Sequence, residues 1–232
     1  MNRFRTLAVL AIVPLLVAAA APDRMAPLSS YLMGRQAEIA LARSAAPPSI
    51  SGHASVLVLT PHGYVTAVAG DNGFTCFVDR AWDQPFDMKR FWNPMMHAPQ
   101  CLNRQATRTV LPYMFKRTAL ALAGESKQQI MAGLTAAIAS GTLPTPAPGS
   151  ISYMMSKHQM LGDGNTPWYP HVMFFAPKAD GANDGADWGA NLERSPVAYD
   201  GEHHANPEPW AIFYIPVAHW SDGSPAPVYT GM

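Results

Sequence analysis

Side chains able to do chemistry are concentrated in the last third of this sequence. His203 and His204 stand together in "YDGEHHANPEPW" (199–210), with Asp200 and Glu202 beside them. Imidazole and carboxylate are ordinary zinc ligands, so the group suggests a transition-metal centre. In an extended chain, however, adjacent side chains point to opposite sides. The two rings share one ion only if the loop curls and a third ligand arrives from Asp200, Glu202 or elsewhere. Otherwise they are polar residues of a solvated loop.

A second grouping needs less curling. If the apolar runs 171–176 and 210–220 pair antiparallel, His171 and His219 fall at one end of the pair. The segment "SKHQMLGDGNTPWYPH" then brings His158 and Asp163 to the same end. This predicts a site of His158, His171, His219 and Asp163, with a transition metal such as zinc as its ion. The 177–209 connection is longer than the roughly 15 residues that compact domains leave without structure, which marks it as functional or disordered. It is long enough to fold back, so His203 and His204 are expected to complete or cover that site. Within it, "DGANDGAD" has acids, but Asp180, Asn183, Asp184 and Asp187 lack the spacing of a calcium loop.

Two Met-Met pairs near histidine, in "NPMMHAPQC" and "YMMSKHQM", have the thioether and imidazole donors that Cu(I) prefers. Methionine is also the usual filler of irregular cores. Large aromatic residues fall mostly at element ends and in loops. Trp168, Tyr169, Trp188, Trp210 and Trp220 are the candidate walls of an aromatic cleft beneath the long connection. No G-x-S-x-G elbow, H-E-x-x-H, C-x-x-C, P-loop or G-x-G-x-x-G occurs.

Cys76 and Cys101 are the only cysteines. The first 20 residues, "MNRFRTLAVLAIVPLLVAAA", read as basic, apolar and then small, the order of a secretory signal. The apolar run is shorter than the roughly 20 residues of a membrane span. Export to an oxidising periplasm or beyond predicts a Cys76–Cys101 disulfide. It would close a loop of about 25 residues, worth roughly 3 kcal/mol in the chain-entropy model. Lys and Arg number 16, as do Asp and Glu, with no basic patch to neutralise phosphates. Nucleic acid is therefore not an expected partner, and no membrane span is expected after signal cleavage.

These groups need elements to hold them. Residues 26–43 carry helical periodicity, ended by "SAAPPS". Residues 55–60, 64–69 and 74–79 read as three strands divided by "TPHG" and "GDNG", predicting an antiparallel meander. A helical middle follows. Asn93-Pro94 fits an N-cap with proline at the first helical position. Cys101 is expected at the start of the helical segment, and Pro112 is expected to kink or divide 104–123. Ser126 and Gln129 form a capping box for the helix after them, which Gly141 can close. Runs 150–155, 171–176 and 210–220 are apolar on both faces and predict covered central strands. The expected fold is α+β, one domain over 21–232, with an antiparallel sheet from both ends of the chain. The expected function is an exported small-molecule or glycan-binding protein. The alternatives are a metal-dependent hydrolase using the His cluster, and a structural envelope-associated protein.

Overall fold

The structure, a computed structural model, describes residues 24–161, 168–178, 189–199 and 206–227. The signal-like stretch 1–20, Asp163, the "DGANDGAD" acids, Trp188, Asp200, Glu202, His203 and His204 lie outside the described residues. Strands from both ends of the chain join one mixed, mostly antiparallel sheet, ordered β2-β1-β3-β4-β5-β6-β8-β7. They are β1 (Ser55–Thr60), β2 (Gly63–Val68), β3 (Thr75–Asp79), β4 (Ala98–Leu102), β5 (Ile151–Met154), β6 (His171–Pro177), β7 (Ala198–Tyr199) and β8 (Trp210–Pro216). The described helices are α1 (Arg35–Arg43), α2 (Pro48–Ser51), α3 (Arg104–Thr109), α4 (Leu111–Leu122) and α5 (Lys127–Ala139). The α+β expectation therefore holds, with α3–α5 as its helical middle.

The meander does not form. β2 pairs antiparallel with β1, but β3 crosses to the other side of β1 and runs parallel to it. Burial explains the choice. All five residues of β3 are buried, whereas β2 is only half-buried and suits an edge. Gly70 makes the crossing tight: a Cβ there would lie 2.2 Å from the backbone of Ala54 and Ser55. Residues 93–96 are a turn, not a helix start. Asn93 Oδ1 accepts from Met95 N at 3.1 Å, and the chain then enters β4. Cys101 consequently lies in a strand, directly opposite Cys76 on β3, and the two form the disulfide.

Helix ends follow local chemistry. Asn103 caps α3 by accepting from Ala106 N, and Pro112 sits in the first turn of α4, where no N–H partner is needed. Ser126 and Gln129 close the capping box of α5, and Gly141 follows with φ 70°. Alternation sorts the strands onto two faces. Val56, Cys76, Val78 and Cys101 pack with Ala42 of α1 on one face. Leu57, Phe77, Leu102, Met154, Met173 and Phe175 join the main core with α4 and α5 on the other. At the far end, Ala176, Ala211 and Phe213 pack with Ala190 of the long connection. The end of β6 and β8 beside the long connection is thus covered on both sides, while the second face of β5 is only half-buried. Among the described residues, no helix is long and apolar enough to cross a membrane.

Candidate functional site

Above the main-core face of the sheet lies a cavity of about 440 Å³. The sheet supplies its floor by the two-residue period. His171, Met173 and Phe175 come from β6, and Trp210, Ile212 and Tyr214 from β8. Register keeps these residues on one face, because Met173 stands opposite Tyr214 and Phe175 opposite Ile212. Met154 of β5, Gln100 of β4 and Asp79 of β3 continue the floor. Met114 and Arg117 of α4, the 83–88 segment, Leu161, Trp168, Asn206 and Glu208 close the sides.

Most of this wall is apolar or aromatic, and its polar groups are held in a repeated way. Asp79 is 6% exposed. Its Oδ2 accepts from Gln100 Nε2, and Gln100 Oε1 in turn accepts from Ser152 Oγ at 2.8 Å. The serine fixes which end of the amide faces the aspartate. Asp83 Oδ2 accepts from the backbone N–H of Arg80 at 3.3 Å, across a short 3₁₀ turn. Glu208 Oε1 accepts from both Nε and Nη2 of Arg117. Arg117 Nη1 donates to the carbonyls of Trp82 and Gln84, so its guanidinium is engaged on every nitrogen. The Arg117 guanidinium also lies 4.3 Å over the Phe86 ring. Three carboxylates thus spend one oxygen on the protein. The other oxygens, Asp79 Oδ1, Asp83 Oδ1 and Glu208 Oε2, are buried without a hydrogen-bond partner among the described residues.

His171 repeats the pattern. Its Nδ1 lies 2.8 Å from the Tyr169 carbonyl, which can only accept, so Nδ1 carries the proton. Nε2 is left as a buried lone pair without a partner among the described residues. The ring packs edge-on to Trp168 at 4.7 Å and to Tyr214 at 5.5 Å. Gln159, fully buried, donates to the carbonyls of Trp168 and Tyr169 and so holds that segment in place.

Burial sets the protonation of these groups. It pushes the Asp79 carboxyl well above the ordinary range, and the neighbouring Asp83 charge pushes it further, against Gln100, Arg80 and Arg117. Burial likewise raises Asp83 to about 7, with Arg117 and Arg80 pulling down and Glu208 pushing up. Burial lowers His171 to about 4, only partly offset by its bond to Tyr169.

The expected site residues separate into two groups. Trp168 and Trp210 line the cavity, and Tyr169 acts through its carbonyl on His171. Trp220 lies outside the lining, in a turn where its backbone N–H donates to the Ser224 carbonyl. His171 does sit at the end of β6 opposite the long connection, as the antiparallel pairing requires. His158 and His219, however, are exposed while His171 is buried. Among the described residues, no three His, Cys, Asp or Glu stand close enough to hold a metal ion. Met96 and Met154 of the two Met-Met pairs are core residues. The acidic end went unread in the sequence. Its signal was "VDRAWD", two acids four apart around an arginine, in a run otherwise apolar enough to be buried. Comparison of the chain with family models, curated proteins and solved structures finds no match.

Proposed function

We propose that this chain is a small-molecule-binding protein whose site is the cavity on the main-core face of the sheet. One observation carries the reading. Four buried polar atoms without partners among the described residues belong to residues lining a single aromatic and methionine-walled cavity. Buried polar groups normally find partners, because leaving one unmet costs about 1–3 kcal/mol. A cavity of about 440 Å³ falls in the range of small-molecule sites, roughly 300–1,000 Å³. The metal-dependent hydrolase alternative gains no support from the described histidines.

A thermal-shift screen with sugars, amines, carboxylates and aromatic compounds tests the reading. Leu161→Trp, at a half-buried lining position, fills the cavity as a control. The expected result is a compound that stabilises the native chain and not the variant. A screen in which every hit stabilises both equally would overturn the reading. Export is part of the same proposal, supported by the order of residues 1–20 and by the disulfide. Intact mass of the exported protein should place its N-terminus near Ala21, and a retained Met1 would refute it.

A further inference from the structure

We propose that the ligand of this cavity is a small organic cation, an ammonium carried on an apolar or aromatic body. The inference rests on the binding reading above and adds the ligand's chemistry. Its basis is the polarity of the open atoms. Asp79 Oδ1, Asp83 Oδ1, Glu208 Oε2 and His171 Nε2 are, with ionised carboxylates, all acceptors. Two lining donors beside them, Arg117 and Gln100, are already used. Arg117 is engaged through Nε, Nη1 and Nη2, and Gln100 Nε2 is given to Asp79. A ligand carboxylate would set acceptors against these acceptors, and a hydroxyl could give only one hydrogen bond to them. An ammonium brings only donors.

Charge points the same way. Three lining carboxylates face one lining arginine, Arg117. Arg80, the next cation, is not in the lining and is committed to buried Glu38. A positive ligand would meet the charge that Asp79 and Asp83 carry once they ionise, and the apolar wall of Trp168, Tyr214, Trp210 and Phe175 suits the body attached to it. Among the described residues, no three acids or histidines stand together to coordinate a metal ion in this place.

The proposal carries a pH signature. The charged or titratable groups around the aspartate pair are Arg80, Arg117, Glu208, Glu38 and Tyr64, with His171 across the cavity. Ammonium binding favours the ionised carboxylates, so affinity rises with pH through the neutral range, where Asp83 gives up its proton.

Calorimetry with phenethylamine, phenethyl alcohol and 3-phenylpropionate decides the matter, because the three share a body and differ in the head. The amine is expected to bind at least tenfold tighter than either isostere at pH 8, and to weaken towards pH 6. Asp79→Asn and Asp83→Asn should each reduce amine affinity tenfold or more at pH 8, with cooperative urea unfolding showing that the variants are folded. If the alcohol or the acid binds as tightly as the amine, the cation proposal fails while the binding reading stands. If none of the three binds, the cation proposal also fails, and the screen with Leu161→Trp judges the binding reading separately.

Discussion

Asp83 and His171 titrate in opposite senses, and each leaves its own mark on stability. Asp83 in the folded chain holds its proton to about 7, against an ordinary 3.8. The folded state then binds that proton more tightly than the unfolded one. Its contribution therefore falls as pH rises from about 4 to 7, and the loss is complete above 7. Asp83→Asn should shrink this limb, while Asp79, also raised by burial, keeps part of it. The variant should match the native chain near pH 4 and exceed it by about 2–4 kcal/mol at pH 8 in urea titrations. An unchanged pH slope would show that Asp83 is an ordinary carboxylate. His171, lowered to about 4 from 6.5, behaves conversely. Its stability is present above 6.5 and lost as pH falls through 4. His171→Gln should flatten the acid limb of the same titration, whatever it costs in packing. Half-buried His97, also lowered to about 4, remains in that variant, so some acid dependence should persist.

At the scale of elements, the sharpest demand is the crossing from β2 to β3. Gly70 lets the chain pass against the start of β1, and Ser55 N and the Phe74 carbonyl bond there at 2.9 Å. Gly70→Ala should destabilise by about 2 kcal/mol or more in chemical denaturation, because backbone must move to admit the methyl group. An effect under 0.5 kcal/mol would mean that the crossing is loose. Sequence pattern revealed these elements unevenly. The α5 capping box, the hairpin of β1 and β2, and the runs that became β6 and β8 have strong local signatures and form near the expected positions. The parallel placement of β3 has none, since it depends on which strand can tolerate solvent, a property of the whole sheet. β4 was hidden because "APQCL" contains a proline and lacks a β-branched residue, yet its five residues are buried. The site was half legible for the same reason. Alternation in the C-terminal strands exposes Trp210 and His171 as a shared face. The acidic end is assembled from residues 79–83, 117 and 208, far apart in sequence and joined only by folding.

Over the whole molecule, the sheet is not equally tied along its width. β6 and β8 match over seven residue pairs, and β3 and β4 over five. β4 and β5 meet at just two, Cys101 with Tyr153 and Leu102 with Ser152, as few as β1 and β3. The disulfide reinforces the N-terminal side of this junction and does not cross it. The cavity does cross it, with Asp79 and Gln100 on one side and Met154, His171 and Tyr214 on the other. Native-state amide exchange should accordingly find two cooperative units. β5, β6 and β8 should open at a lower free energy than β1, β3 and β4. Uniform protection across all six strands would refute the division. A guest that touches both banks of the junction would act as a clasp. It would slow exchange in strands it never contacts, and the chain would report occupancy as a merging of two opening events into one.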